Sequence, residues 1–241
     1  MSKLLIVEGS NIIKAVFKEL LDKDSNFDYD FAGSYAEAQT LLKRARYEFA
    51  VVERTLKDAG DGKIIALCNK HNIAPFVFTK NVDEDFFESF EGAQIVDYIL
   101  KNSYNNVPKV YDRLVQLKAN KKIEILVVNA SKIYRTYLKQ NLNLHNFKVL
   151  SAANNEEALN RLELHPTIKL IIIEESNKEI ETLKLVKNIR QNKLHDNLNI
   201  LVIVDDSNLY ETSALLNAGA NDYLVKQFSR SELYVRVYQN I

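Results

Sequence analysis

Acidic and basic residues close apolar runs of this chain, and they do so twice. Glu53 and Glu174 each follow four apolar residues. Lys101 and Lys226 each end a stretch of the form Asp-Tyr-apolar-apolar-Lys. A carboxylate and an ammonium group that meet at the edge of a sheet can form a charge-assisted hydrogen bond or hold a small charged ligand. These four residues are therefore the candidate functional residues of the chain.

The surroundings of these residues are repeated along the chain. Residues 4–10, 49–53 and 97–101 have counterparts at residues 125–131, 170–174 and 222–226. The offset is 121 residues from Glu53 to Glu174 and 125 residues from Lys101 to Lys226. Two copies of one domain explain this spacing better than a solenoid, whose repeats span roughly 20–50 residues. In a chain of 241 residues we predict domains at residues 1–119 and 120–241, joined by a short, stiff junction.

The composition is ordinary for a globular protein, and its charge balance limits the classes of partner that are expected. Lysine plus arginine and aspartate plus glutamate are balanced at 32 each, which argues against a nucleic-acid or membrane-surface role because such partners favour an excess of positive charge. No stretch approaches the roughly 18 apolar residues of a membrane span. Cys68 is the only cysteine, so no disulfide framework is expected and a cytoplasmic location fits. The four histidines lack the spacing of a metal site.

Strand and helix patterns alternate five times in each half. Short runs rich in valine and isoleucine predict buried strands, at residues 3–7, 28–32, 49–53, 75–79 and 96–100, and again at residues 123–128, 148–152, 169–174, 199–204 and 222–225. Amphipathic stretches between them predict helices, for example at residues 35–45, 108–118 and 155–164. This alternation is typical of an α/β fold, so we predict two doubly wound domains, each with five parallel strands and helices on both faces.

The first helix of each half is predicted to bury one continuous apolar face. The spacing places on these faces Ile12, Ile13, Val16, Phe17, Leu20 and Leu21 in the first half, and Ile133, Tyr134, Tyr137, Leu138 and Leu142 in the second. The pattern Ser229-x-x-Glu232 predicts a capped final helix.

Two further segments could be misread. Residues 200–207 look like a first strand that ends in an acidic pair, but residues 219–226 follow too closely for that order. They must form the fourth strand, and we expect Asp205 and Asp206 to lie on the loop above the site, either solvated or binding a cation. Residues 85–90 are acidic and aromatic. They predict an amphipathic helix whose phenylalanines are buried, or a docking face if they are exposed.

Both halves resemble the receiver domain of bacterial response regulators. The best match is residues 219–226, Gly-Ala-Asn-Asp-Tyr-Leu-Val-Lys, which are similar to the family's approach to its fifth strand and active-site lysine. Residues 125–131 resemble the family's first strand, and Asp61, Gly62 and Thr79 stand where the family usually has them. The resemblance implies two flavodoxin-like (βα)5 domains with a site at the carboxyl ends of the strands, where doubly wound sheets bind ligands.

The resemblance also implies which residues stand in the site. In that family an acidic pair and an aspartate hold Mg²⁺, the aspartate accepts a phosphoryl group, and a hydroxyl and a lysine neutralise it. The corresponding positions are the acceptors Glu53 and Glu174, the acidic pairs Glu8-Gly9 and Asn129-Ala130, the switch positions Thr79, Val204, Tyr98 and Tyr223, and the lysines Lys101 and Lys226. We therefore expect both phospho-acceptor sites to be degenerate, with the Mg²⁺ site lost and no other cofactor.

Glutamate at the acceptor positions leaves two interpretations open. Its side chain is one methylene longer than that of aspartate, so it could reach the lysine and mimic a phosphorylated receiver. Alternatively, each glutamate is a solvated acid left behind after the site decayed, because exposed ion pairs often contribute only ~0–1 kcal/mol.

The resemblance implies a non-enzymatic signalling module that acts by protein contact. The expected partners are a histidine kinase or an output domain. A homodimer could form through the fifth-strand face, with Asp97, Asp222 and Arg236 as candidate contacts. Two alternatives stay open: the chain is the regulatory front of a longer response regulator with an output domain such as a diguanylate cyclase, or one half still accepts a phosphoryl group.

Overall fold

The protein forms two compact units, which divide between Lys118 and Ala119, one residue from the expected boundary. The computed structural model describes residues 2–80, 93–102, 104–174, 181–192, 196–205 and 209–241, without the side chains of residues 104 and 209–211. The helix expected at residues 85–90 and the predicted position of Asp206 lie outside the described residues. Within the described ranges, no helix is both long and apolar enough to cross a membrane.

The first unit alternates strands with helices. Its elements are β1 (Ser2–Val7), α1 (Asn11–Lys23), β2 (Phe27–Ala32), α2 (Tyr35–Arg44), β3 (Phe49–Glu53), α3 (Lys63–Lys70), β4 (Phe76–Thr79), β5 (Asp97–Leu100), a 3-10 turn (Tyr104–Asn106) and α4 (Val107–Asn120).

The second unit repeats this alternation. Its elements are β6 (Glu124–Val128), α5 (Lys132–Leu144), β7 (Lys148–Ala152), α6 (Asn155–Leu164), β8 (Ile168–Glu174), α7 (Thr182–Gln191), β9 (Asn199–Val204), α8 (Leu209–Asn217), β10 (Asp222–Val225) and α9 (Arg230–Gln239).

Both sheets are parallel and share one strand order. The first sheet runs β2-β1-β3-β4-β5, and the second runs β10-β9-β8-β6-β7, which is the same order counted from the other edge. The predicted flavodoxin-like α/β architecture is confirmed. The strand order reverses next to β1 and next to β6, and ligand sites of such sheets form there, at the carboxyl ends of the strands. The register pairs Val7 with Val52 and Val128 with Ile173, so the residue after each pair belongs to the candidate site.

The central strands are buried on both faces because helices pack on each side. Successive side chains of a strand point to opposite faces. In β1, Leu5 and Val7 join one apolar cluster, whereas Leu4 and Ile6 join another. This two-sided burial explains why the strands read as continuous apolar runs. The same division holds in β6, with Leu126 and Val128 on one face and Ile125 and Val127 on the other.

Serine caps fix the turns that leave the first strand of each unit. Ser10 and Ser131 accept a hydrogen bond from the backbone N–H three residues further on, at the starts of α1 and α5. Such a cap typically contributes about 1 kcal/mol. The cap predicted at Ser229 is confirmed, and it forms a full capping box with Glu232.

The predicted apolar face of α1 is wrong at Ile12, and that of α5 is wrong at Ile133 and Tyr137, of which Tyr137 is 39% exposed. Ile12 is 70% exposed and Ile133 is 85% exposed. The buried stripe of α1 consists instead of Ile13, Phe17 and Leu21, which recur every fourth residue. Both exposed isoleucines lie in a first helical turn, next to the end of the preceding strand, where the sheet no longer covers the helix.

Candidate functional site

Four candidate residues of the first unit meet at the carboxyl ends of neighbouring strands. Glu8 directly follows β1, Glu53 ends β3, Thr79 ends β4 and Lys101 directly follows β5. The order β1-β3-β4-β5 places these ends side by side. The backbone N–H of Lys101 donates to the carbonyl oxygen of Thr79 at 2.6 Å, so the sheet itself directs the lysine into the site. Thr79 is buried.

One lysine serves two carboxylates in this site. Lys101 Nζ lies 2.7 Å from Glu8 Oε1 and 2.8 Å from Glu53 Oε1. The backbone N–H of Gly9 donates to Glu53 Oε2 at 3.2 Å, and that of Ser10 donates to Glu8 Oε1 at 2.7 Å. The Lys101 side chain is only 5% exposed. Charge-assisted hydrogen bonds of this length are among the strong ones in proteins, so the triad is a fixed structure and not a set of solvated charges.

The pKa values of the two acids shift in opposite directions. Burial raises the pKa of Glu8 above 4.5, although Lys101 and the Ser10 N–H oppose that rise. Burial also acts to raise the pKa of Glu53, but the hydrogen bond and charge of Lys101, with the Gly9 N–H, lower it overall. Glu53 is therefore the firmly ionised partner of Lys101.

A cleft of about 500 Å³ opens over this triad. Gly9 lines it, and a side chain added at Gly9 would meet only Glu53 Oε2, at 3.5 Å. An aspartate would therefore fit by size, but its charge would face that of Glu53. Lys57 and Lys80 lie at the rim of the same cleft.

The loop after β3 is tied down beside the site. Thr55 donates a hydrogen bond to Asp61 at 3.0 Å, and Arg54 forms an ion pair with the other oxygen of the same carboxylate. Gly62 has a φ of 70°, a left-handed conformation that glycine adopts without steric cost. The Asp61-Gly62 pair noted in the sequence therefore acts as a local brace for this loop.

The second unit builds its site differently around the same lysine position. Lys226 Nζ lies 3.3 Å from Glu174 Oε1 and 2.8 Å from Asp205 Oδ2. Asn129 donates from its amide to the second oxygen of Glu174. The backbone N–H of Ser131 donates to Asn129 Oδ1 at 2.6 Å, as Ser10 does to Glu8 in the first unit. Asn129 is thus a neutral counterpart of Glu8.

Burial dominates the electrostatics of the second site. It raises the pKa of Glu174 above 4.5, and the charge and hydrogen bond of Lys226 only partly offset this. Burial lowers the pKa of Lys226, whereas the acids Asp205 and Glu174 raise it. The net result is a pKa above 10.5. The Tyr134 phenol is close enough for the charges of Glu174 and Asp205 to add to the effect of burial, and its pKa is raised strongly.

Three residues of the second site were not predicted from the sequence. Asp205 is exposed, as expected, but its carboxylate also binds Lys226, a contact that was not predicted from the sequence. Arg135 donates to the carbonyl oxygens of Asn129 and Ala130 at 2.5 and 2.9 Å, so it braces the backbone where the family carries acids. Tyr134 was assigned only to an apolar face. One signal was available: Asp205 follows β9, whose end must lie beside that of β10.

The remaining switch positions hold one aliphatic and two aromatic side chains. Val204 is fully buried and offers no hydroxyl. Tyr98 and Tyr223 are half-buried and pack against apolar clusters of their own units. Val204 and the two tyrosines thus contribute to the apolar packing of their units.

The candidate dimer contacts are partly engaged within their own unit. Arg236 Nη1 lies 3.2 Å from Asp222 Oδ1, and the Asn240 amide donates to Asp222 Oδ2 at 3.2 Å. Burial raises the pKa of Asp97, which is countered by the Tyr98 N–H and the charge of Arg113. Asp222 and Arg236 thus have an intramolecular role that the sequence did not indicate.

The side chains present do not fit the Mg²⁺ site that the resemblance implies. Gly9 and Ala130 carry no carboxylate, and Asn129 supplies an amide where Mg²⁺ favours anionic oxygen. Glu8 and Glu53 are already bound by Lys101. Across the described ranges, no three His, Cys, Asp or Glu side chains are grouped so that they could hold a metal ion.

Parallel five-stranded sheets with an acid and a lysine at the carboxyl edge define the receiver class of signalling domains. The family model for the response regulator receiver domain matches residues 125–238. A chemotaxis protein CheY homolog of Campylobacter jejuni is 31% identical over 108 residues, which are 44% of this chain and 83% of that protein. Chemotaxis protein CheY1 of Helicobacter pylori is 30% identical over 108 residues, 44% of this chain and 87% of that protein.

A solved structure extends the similarity to both units. It is a crystal structure described as that of a two-component system response regulator/GGDEF domain protein, with 27% identity and a TM-score of 0.84, and it covers 100% of this chain and 98% of its own. The chain belongs to the response regulator receiver family of two-component signalling, and it carries the receiver fold twice.

Proposed function

We propose that the chain is a tandem pseudo-receiver, a non-enzymatic regulatory module that acts in the cytoplasm through protein contacts and is not normally phosphorylated in either half. The observation that carries this proposal is that the lysine of each site already contacts a glutamate at the acceptor position, at 2.8 Å for Glu53 and 3.3 Å for Glu174. A phosphoryl group would need that lysine for charge neutralisation.

The acceptor geometry supports the same proposal. Phosphoryl transfer depends on positioning and on charge neutralisation, and a glutamate carries its carboxylate one methylene further than aspartate. Glu53 and Glu174 are also held at their second oxygen, by the Gly9 N–H and by the Asn129 amide respectively. Both carboxylates are therefore already bound by groups of the protein, and neither unit has two acids at the acidic-pair positions, which are Glu8-Gly9 and Asn129-Ala130.

The first prediction concerns phosphorylation itself. The purified chain, incubated with Mg²⁺ and acetyl phosphate and read by intact mass, is expected to gain no phosphoryl adduct. The matched control is the double variant Gly9→Asp with Glu53→Asp. It restores an acidic pair and an aspartate beside Thr79 and Lys101, and it is expected to form the adduct. An adduct on the native chain would favour the alternative in which one half remains a phospho-acceptor.

Phosphoryl mimicry is the form of regulation that these contacts favour. Each glutamate reaches the lysine as a phosphoryl oxygen would, which would hold the unit in one fixed signalling state. We expect the double variant Glu53→Gln with Glu174→Gln to exchange amide hydrogens faster in β5, β10 and the helices that follow them, because the charge of each contact is lost. Hydrogen-exchange mass spectrometry measures this. Unchanged exchange in both units would contradict mimicry and favour the interpretation in which the glutamates are remnants of a lost site.

Receiver domains of two-component systems interact with histidine kinases and other proteins, and the partner surface is part of the proposal. We place it on the fifth strands, β5 and β10, with their flanking helices. A histidine kinase, an output domain or a second copy of the chain would bind there. Because Arg236 and Asp222 are paired with each other, we expect apolar side chains and backbone groups of this face to make most of the contact.

A second candidate function is favoured by one comparison. The structure that matches both units is that of a response regulator/GGDEF domain protein. The chain would then be the regulatory portion of a longer regulator whose output domain is a diguanylate cyclase. Sequencing the native reading frame past Ile241 tests this, because a stop codon there would exclude an output domain after the second unit.

A further inference from the structure

An open cleft remains above the triad of the first unit. Its volume of about 500 Å³ lies in the range of pockets that bind small organic molecules. Glu8 and Glu53 at its floor are already bonded to Lys101 and to backbone N–H groups. A ligand in the cleft would therefore be recognised by the walls and the rim, and not by the triad.

Two glycines keep the cleft open. Gly9 and Gly33 both line it, and neither has a positive φ, so the backbone conformation does not require glycine at either position. A Cβ atom added at either glycine would meet only side-chain oxygen and nitrogen atoms, none of them closer than 3.5 Å. The absent side chains thus relieve no clash, and their effect is to leave room.

The wall beside these glycines is apolar and partly exposed. It consists of Ile12, Ile13 and Leu56. Ile13 and Leu56 belong to the core, whereas Ile12 is 70% exposed. Covering exposed apolar surface is favourable in water. Ile12 therefore offers a ligand an apolar contact that the fold itself leaves unused.

The rim of the cleft carries two lysines. Lys57 lies in the loop after β3 and Lys80 directly follows β4, and both side chains are exposed. Within the ranges that the structure describes, neither forms a hydrogen bond or an ion pair. Two ammonium groups at one opening attract an anion, and the walls of a cleft strengthen that attraction. The negative charges of the cleft lie on its floor, where Lys101 already binds them.

The second unit differs from the first at three of these positions. Ala130 and Ala153 stand in place of the two glycines. Asp205 follows β9 as Lys80 follows β4. The second site therefore has added side chains where the first has room, and a negative charge where the first has a positive one. These features of the cleft belong to the first unit.

We propose that the first unit binds a small organic acid in this cleft, with the anionic group held by Lys57 and Lys80 and the apolar body against Ile12. An inorganic anion would leave the apolar wall uncovered, and a neutral ring would leave both lysines without a partner. No bond is made or broken, and Lys101 stays with its two glutamates. The site does not use the acceptor position, so it stands apart from the proposed function.

The test is an amide NMR titration of the full chain with naphthalene sulfonate, which joins an anionic group to an apolar ring system. Saturable shifts are expected at the amides of Gly9, Gly33 and Leu56, with a dissociation constant of about 0.1–1 mM. Inorganic sulfate and neutral naphthol each supply only one of the two parts, so each should bind at least about tenfold more weakly. Absence of saturable shifts at these amides would overturn the proposal, and so would equal binding of naphthol.

Two lysine variants test the rim. Lys57→Gln with Lys80→Gln should weaken binding of naphthalene sulfonate by about tenfold or more, because both charged partners of the anion are lost. The matched control is Lys63→Gln with Lys70→Gln, which changes two exposed lysines of α3 that do not line the cleft. The control should keep the native affinity. All four side chains are exposed, so the fold is retained, and an unchanged amide spectrum without ligand verifies this.

A third variant tests the room in the cleft. Gly9→Ala with Gly33→Ala gives the first unit the residues of the second and should weaken binding by about fivefold, because two methyl groups enter the space of the ligand. The shift of the Leu56 amide measures it. Native affinity in this variant or in the rim variant would overturn the proposal, as would an equal loss in the lysine control.

Discussion

Replacing Lys101 with methionine is expected to destabilise the first unit by about 3–5 kcal/mol at neutral pH. The substitution removes the cation from two carboxylates, Glu8 and Glu53, and leaves their largely buried charges unpaired beneath the cleft. Methionine keeps most of the volume, so the loss reports on charge and not on packing. Lys226→Met is the matched control. It should cost about 1 kcal/mol because Lys226 is more exposed and Asn129 still binds Glu174.

Urea unfolding read by hydrogen-exchange mass spectrometry separates the two effects, since peptides from residues 2–80 and from residues 124–174 report on different units. A Lys101→Met chain whose first unit is as stable as the native one would contradict the triad. So would equal losses in the two lysine variants, because the sites would then not differ in burial.

The same variant should change the pH dependence of stability from two opposed contributions to contributions of one sign. In the native chain the pKa of Glu53 is lowered on folding, so its contribution is present above the unfolded pKa and is lost as pH falls through the folded value. The pKa of Glu8 is raised, so its contribution is present at low pH and is lost as pH rises. Without Lys101 both acids are governed by burial. Stability of the variant should therefore fall with rising pH, and its difference from the native chain should shrink below roughly pH 4.

Truncation of Phe78 to alanine is the second change with a large expected effect, a loss of about 3–5 kcal/mol from the first unit. Phe78 lies in β4, is almost completely buried, and meets the ring of Phe17 edge-on with centroids 6.4 Å apart. Its ring also lies beneath the site, with Lys101 Nζ 5.8 Å from the centroid. Alanine would leave a cavity where the core supports the lysine.

Two substitutions calibrate this measurement in the same urea experiment. Phe78→Leu keeps most of the volume and should cost less than about 1.5 kcal/mol. Ile12→Ala removes an aliphatic side chain that is largely in water, so it should change stability by no more than about 0.5 kcal/mol. If Phe78→Ala proved as mild as Ile12→Ala, the assigned core of the first unit would be wrong.

The sheets could be predicted from the sequence because strands that are buried on both faces appear as short continuous apolar runs. Strands β3, β7, β9 and β10 begin and end at the predicted residues, and each contains adjacent apolar residues. The pairing of Glu53 with Lys101 was reachable too, because parallel strands must bring their carboxyl ends to one edge. What the sequence lacked was the position of each helix against that edge, so Ile12 and Ile133 were assigned to buried faces.

The contacts between the site residues were harder to predict than the identity of those residues. Whether the exposed Asp205 also reaches Lys226 depends on the direction of the backbone after β9, and no periodic pattern encodes that direction. The role of Asn129 was likewise hidden. The sequence shows the loss of an acid, whereas the structure shows an amide that donates to Glu174 and accepts from Ser131.

The unequal exposure of the two lysines also bears on their reactivity. An acyl-transfer reagent must reach the amine nitrogen, and Lys101 presents almost none of its side chain to water whereas Lys226 presents about a quarter. Acetylation removes the charge on which a lysine's ion pairs depend. Spontaneous acylation by metabolites would therefore accumulate on Lys226 and spare Lys101. The second unit would then lose its lysine charge over time, while the first unit would keep it.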